Sequence, residues 1–188
     1  MLRLFVALPL PDGVIARLMI MSSGVPGAQW TEPANMHLTL RFIGEVEESV
    51  AEDIDALLAG ITVPAFSLEL AGVGTFGEGT KARMLWAGVK PSAALLHLQA
   101  KVESAIVRAG LPPETRKFAP HVTLARLNHP HSVRLENFIV GNTLFQAGPF
   151  AVDRFALFES RLGKNTAVYT PIVHYDLVPG TDEIRTRY

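Results

Sequence analysis

Two short stretches carry the side chains best suited to chemistry: His37-Leu38-Thr39-Leu40 and, in the other half of the chain, His121-Val122-Thr123-Leu124. Successive side chains of an extended strand point to opposite faces, so each histidine shares a face with its own threonine. An imidazole has a free pKa of about 6.5, and a pair of them can hold one base and one acid at neutral pH. Displacement at a phosphodiester needs that combination. One ring takes a proton from the attacking oxygen while the other protonates the leaving oxygen, each contributing on the order of 10²–10⁴ in rate. Substrate held between them gains further from fixed orientation, and neither a metal nor a covalent intermediate is needed. The hydroxyls of Thr39 and Thr123 can donate to non-bridging phosphate oxygens. A single tetrapeptide of this kind is ordinary strand composition. Two of them, in equivalent places of a repeated element order, predict one shared site.

A phosphate site also calls for fixed positive charge. Arg41 lies four residues after His37 and has the parity to share its face in an unbroken strand. Arg126 lies five residues after His121, on the wrong face unless the strand bulges or ends near Ala125. Sequence parity therefore favours Arg41.

Other residues compete poorly with this pair. His97 falls in a leucine-rich helix, His129 and His131 bracket Pro130 in a loop, and His174 lies on the last strand. No spacing among them and His121 matches a known histidine-only metal site, and no nearby carboxylate completes one. Gly72-Val73-Gly74-Thr75-Phe76-Gly77 has the form G-x-G-x-x-G, but that motif requires a helix to begin at the glycines. Here Met84-Leu85-Trp86-Ala87-Gly88-Val89 follows and reads as a strand, so the glycines are expected in a hairpin connection. The chain has no G-x-x-x-x-G-K-[ST] loop for a nucleoside triphosphate. It also has no cysteine, which removes disulfides, thiolate nucleophiles and sulfur-based zinc sites, and fits a reducing cytoplasm.

The elements that must position the pair follow from patterning. Leu2 to Leu8 reads as a strand rather than a leader, because Pro9 and Pro11 interrupt it and no small-residue cleavage site follows. Asp12 is placed to cap a helix with Val14, Ile15, Leu18 and Met19 along one stripe. The first His-x-Thr strand runs from Met36 to Ile43, and Glu47 to Leu58 follows as an amphipathic helix. Pro64 opens a strand on which Phe66, Leu68 and Leu70 alternate with polar residues. The order then recurs: a strand from Arg83 to Val89, a helix after Pro91-Ser92, the second His-x-Thr strand, a short helix from His131 to Val140, and alternating strands Phe150 to Glu159 and Ala167 to Leu177. Such an order predicts an α+β fold of two pseudo-symmetric lobes, each a mainly antiparallel sheet with helices on its outer face. The lobes flank a central cleft, and residues 1–188 form one domain with an internal duplication. With 48% hydrophobic and 19% charged residues the composition is that of a folded protein. A net charge of −1 excludes a surface built to bind long nucleic acid throughout, though not a local phosphate pocket. No stretch approaches the roughly 18 apolar residues of a membrane span.

These segments together resemble the two-histidine phosphoesterases, and among them the RNA 2′,3′-cyclic phosphodiesterase family, also called 2′-5′ RNA ligases. The resemblance is carried by Arg3-Leu4-Phe5-Val6-Ala7-Leu8-Pro9, by Trp30, and by Asn35-Met36-His37-Leu38-Thr39-Leu40 with Phe42-Ile43-Gly44-Glu45-Val46. It continues through Leu85-Trp86-Ala87-Gly88-Val89, then Phe118-Ala119-Pro120-His121-Val122-Thr123-Leu124-Ala125-Arg126, and ends near Phe158-Glu159-Ser160. Met36 stands where leucine is common in the family. The resemblance implies hydrolysis of an RNA 2′,3′-cyclic phosphate to a 2′-phosphate, with His37 as proton donor and His121 as proton acceptor. It implies that Thr39, Thr123 and Arg126 hold the phosphate, so it favours Arg126 over Arg41. The expected partners are RNA ends or short oligonucleotides with a 2′,3′-cyclic phosphate, met by a cytoplasmic monomer that uses no cofactor or metal and contacts no membrane. The reverse reaction, 2′-5′ ligation, is also implied, but no nucleotide-activation motif is present to drive it. Two other readings stay open: a related phosphoesterase acting on 2′-5′ oligoadenylate or another cyclic phosphate, and an RNA-end sensor that binds without turnover.

Overall fold

Leu4, Val6 and Leu8 pack into the main apolar core, whereas Phe5 and Ala7 join a second, smaller cluster. That alternation defines strand β1 (Leu2–Pro9) as a central strand covered on both faces. The computed structural model describes residues 1–164 and 166–180. Among these described residues, four α-helices cover one side of the sheet: α1 (Asp12–Ile20), α2 (Glu48–Ala59), α3 (Ala93–Arg108) and α4 (Ser132–Gly141). Each gives its apolar stripe to the main core, through Val14 and Leu18, Ile54 and Leu58, Leu95 to Ile106, and Leu135 and Phe138. Full burial of one such leucine or isoleucine is worth roughly 1.5–3 kcal/mol. Ser92 caps α3 by accepting from the Leu95 amide at 3.1 Å. At α1 the expected cap shifts by one residue: Pro11 occupies the cap position and Asp12 lies in the first turn.

The remaining strands are β2 (Ala28–Trp30), β3 (His37–Val46), β4 (Phe66–Phe76), β5 (Met84–Val89), β6 (His121–Leu127), β7 (Gln146–Val152), β8 (Arg154–Leu162) and β9 (Ala167–Asp176). They form one sheet in the order β7-β4-β5-β6-β3-β1-β8-β9, with β2 added on β6, and all these strand pairs are antiparallel. The architecture is α+β. The sheet falls into two four-stranded halves, β7-β4-β5-β6 and β3-β1-β8-β9, joined through β3 and β6 by the single pair Leu38↔Val122. The two halves of the sheet do not coincide with the two repeats. β4, after α2, pairs with β5, and β8, after α4 and β7, pairs with β1.

Two sequence expectations are corrected. The stretch from Phe150 to Glu159 is two strands broken at Asp153, and these lie on opposite halves of the sheet. Phe150 and Val152 alternate on even positions and Phe155 and Leu157 on odd ones, so the adjacent polar pair Asp153-Arg154 marks a change of phase that a single-strand reading passes over. The glycines at 72–76 lie inside β4 rather than in a hairpin connection, and the turn falls at residues 77–83. Gly72 has φ +68° at an irregularity in the β4–β5 pairing. Gly74 leaves room for an indole: a Cβ there would come within 2.4 Å of Trp86. No helix begins at these glycines, so they form no dinucleotide loop.

Candidate active site

Pairing register decides which residues look into the cleft. On β3, Leu8↔Leu38 and Ala7↔Thr39 are followed by Val6↔Arg41 and Phe5↔Phe42, so Leu40 is an extra, bulged residue. On β6, Ala87↔Val122 and Trp86↔Thr123 are followed by Leu85↔Ala125 and Met84↔Arg126, and Leu124 is the bulge. A bulge inverts the parity of everything beyond it. Both leucines are buried in the main core.

The consequences for the two arginines are opposite. Arg41, paired with Val6, turns to the helix side. There its Nε donates to Glu103 Oε2 at 2.5 Å and its terminal nitrogens donate to the carbonyls of Phe42 and Pro112. Its side chain is 10% exposed. The parity expectation for Arg41 therefore fails, because Leu40 takes an additional place in the strand. Arg126 gains the face of His121 and Thr123 by the same device, is exposed, and has no ion-pair partner among the described residues.

His37, Thr39, His121 and Thr123 thus project from the same side of two strands that meet at Leu38↔Val122. The rings are held alike. Nδ1 of His37 donates to the Asn35 carbonyl, and Nδ1 of His121 to the Ala119 carbonyl, each at 2.7 Å and each two residues back. A carbonyl only accepts, so the proton sits on Nδ1 and the lone pair of each neutral ring is on Nε2. The Thr39 hydroxyl donates to Nε2 of His37 at 3.0 Å, while Thr123 Oγ1 donates to the Met84 sulfur at 3.4 Å. In each ring Nε2 is the nitrogen left for chemistry.

Their surroundings differ. His37 is packed by Phe5 at 4.8 Å, Phe158 at 5.9 Å and the edge of Tyr169 at 5.3 Å between ring centroids. Burial pushes its pKa down to about 4, opposed by the bond to the Asn35 carbonyl and assisted by charge on His121. His121 meets the edge of Phe76 at 4.9 Å and lies 6.5 Å from Trp86. The Asn35 side chain donates to the Ala167 carbonyl and accepts from the Tyr169 amide, fixing β9 beside His37.

Sequence reasoning from parity did not identify these aromatic supports or the two backbone carbonyls. Asn35 and Ala119, each two residues before its histidine, were the available signal. The remaining histidines stay outside the site, and the described residues contain no group of three His, Cys, Asp or Glu able to share a metal ion. Two shallow hollows, one lined by α1 residues such as Ile15 and Met19 and one by Pro9, Arg154 and His174, hold none of the paired residues.

A family model described as the 2′-5′ RNA ligase superfamily matches residues 25–164. The chain is 42% identical over 130 residues to the RNA 2′,3′-cyclic phosphodiesterase of Aeropyrum pernix, covering 65% of this chain and 73% of that protein. It is 30% identical over 154 residues to the protein of the same name from Aquifex aeolicus, covering 79% and 81%. Among solved structures it is similar to E. coli LigT complexed with 3′-AMP, with a TM-score of 0.77 and 27% identity over 94% of this chain and 98% of that one. The TT0787 protein of Thermus thermophilus gives a TM-score of 0.75 at 27% identity, covering 93% and 97%.

Proposed function

The chain belongs to the 2′-5′ RNA ligase superfamily, and from that premise we propose that it hydrolyses RNA 2′,3′-cyclic phosphodiesters to 2′-phosphomonoesters by acid/base catalysis at His37 and His121. The observation that carries the reading is the matched pair of Nε2 atoms on one cleft face, each ring oriented by a carbonyl two residues back. The relatives named RNA 2′,3′-cyclic phosphodiesterase supply the substrate class. E. coli LigT, solved with 3′-AMP, supports a nucleoside monophosphate as the ligand class.

In this reading His121 Nε2 takes a proton from water as the water oxygen bonds to phosphorus. The bond from phosphorus to O3′ breaks, and His37 delivers its proton to O3′, leaving a 2′-phosphate. Thr39 turns its hydroxyl from His37 to a phosphate oxygen, Thr123 gives its own, and Arg126 supplies the fixed positive charge. Substrate comes as RNA ends or short oligonucleotides. Hydrolysis takes precedence over 2′-5′ ligation because no motif for nucleotide activation accompanies the pair. We read residues 1–188 as one duplicated two-lobed unit that works as a cytoplasmic monomer. None of the described helices is long and apolar enough to cross a membrane.

The test is hydrolysis of a 2′,3′-cyclic dinucleotide, with products identified by phosphorus NMR. Turnover continues undiminished in EDTA and gives the 2′-phosphate, and His37→Ala or His121→Ala each lowers it on the order of 10²–10⁴-fold. A fully active His121→Ala protein, or loss of wild-type activity on chelation, would overturn the mechanism.

A further inference from the structure

The two halves of the site agree rung for rung. Ala7↔Thr39, Val6↔Arg41 and Phe5↔Phe42 correspond to Trp86↔Thr123, Leu85↔Ala125 and Met84↔Arg126. Phe42 is therefore the counterpart of Arg126. Both residues face the cleft two rungs beyond their threonines, about 7 Å along the strand at roughly 3.3 Å per rung. Because β3 and β6 run antiparallel through Leu38↔Val122, the two residues lie beyond opposite corners of the His37, Thr39, His121, Thr123 cluster. One corner is cationic and the other aromatic.

Phe42 is also open where its neighbours are not. It is 58% exposed, against 2% for Phe5 and 6% for Phe158. Phe5 supports it from below at 6.0 Å between centroids, tilted by 42°, and Phe5 itself packs on His37. An exposed phenylalanine alone is unremarkable. One set on the cleft face, in line with a catalytic ring and opposite the phosphate-binding cation, has a use. A substrate whose phosphate lies at the cluster carries its base outward, and an open aromatic face stacks any base without selecting among them. Phe76, 40% exposed, also stands at the rim, but its ring is already engaged with His121 and Trp86.

We infer that Phe42 is the platform on which the base of the terminal nucleotide stacks, so that one half of the site grips phosphate and the other grips the nucleobase. This rests on the phosphodiesterase reading above. Calorimetric binding of 2′-AMP, 2′-UMP and ribose 2-phosphate to the intact protein and to Phe42→Ala, Phe42→Leu, Phe42→Trp and Phe76→Ala tests it. The unsubstituted protein prefers both nucleotides to ribose 2-phosphate by about tenfold or more. Phe42→Ala and Phe42→Leu bring that ratio toward one, and Phe42→Trp keeps or raises it. A ratio unchanged in Phe42→Ala, a ratio fully kept by leucine, no preference in the unsubstituted protein, or a ratio lost only in Phe76→Ala each overturns the inference. Product binding needs no turnover. A protein that showed this pattern yet hydrolysed no cyclic phosphate would therefore refute the hydrolytic reading and leave the platform standing.

Discussion

A proton donor must carry a proton, yet the His37 ring is pushed down to about 4, first by burial, with charge on His121 acting in the same direction. At pH 7 the free site holds it neutral. Bringing it from about 4 back to the ordinary 6.5 takes about 3.4 kcal/mol, at 1.36 kcal/mol per pKa unit. One phosphate charge about 4 Å away supplies roughly 4 kcal/mol at an effective dielectric of 20. The substrate is thus sufficient to charge its own acid, and binding must take up a proton. A 2′-5′-linked diadenosine phosphate is a suitable probe, because its diester keeps a single negative charge across the range. Titrated calorimetrically at pH 6 in buffers of different ionisation enthalpy, the native protein takes up close to one proton, and a His37→Asn protein takes up correspondingly less. By linkage the native affinity tightens roughly 20- to 50-fold more than that of His37→Asn as pH falls from 7 to 5. Equal uptake in the two proteins, or parallel affinity curves, would refute His37 as the donor charged by its substrate.

The same ring sets an acid limit on stability. The unfolded chain protonates His37 at about 6.5 and the folded one only near 4, so the unfolded state binds more protons in that window. Urea unfolding should show up to about 3 kcal/mol lost as pH falls from 6.5 to 4, beyond any loss in His37→Asn. The two arginines should separate cleanly. Arg41→Met strips Glu103 of its partner and costs about 2–3 kcal/mol of stability. Arg126→Met leaves stability within about 0.5 kcal/mol and lowers kcat/KM about 10²-fold or more; unfolding curves and steady-state kinetics on both variants check this. Gly74→Ala forces a methyl against Trp86, for a loss of about 1–3 kcal/mol by thermal unfolding and a change in Trp86 fluorescence. An unmoved Trp86 would mean that Gly74 is not reserved for the indole.

The two His-x-Thr strands were legible because a period-two strand and a repeated motif need only local information. The face of each arginine was not. Parity counting assumes an unbroken strand, and nothing distinguishes Leu40 and Leu124 from other buried leucines until their partners on β1 and β5 are known. The break at Asp153 is written only as a change of phase at Asp153-Arg154, which an alternating stretch read as one strand absorbs as a bulge, and β2, at three residues, is too short to show any period. The aromatic packing on His37 joins residues from β1, β8 and β9, whose proximity is created by the sheet order rather than by nearness in the chain.

The exchange of β4 and β8 bears on how the molecule holds together. A junction of one paired rung between two halves of a sheet would ordinarily be a hinge. Here the first repeat lends β4 to the half built on β5 and β6, and the second lends β8 and β9 to the half built on β1 and β3, as partners do in a domain-swapped dimer, but within a single covalent chain. The covalent chain therefore crosses the seam more than once, and both halves give residues to one main core, so packing beneath the sheet braces the seam that bears the two histidines. The site is clasped rather than hinged, and its geometry shares the cooperativity of the whole fold.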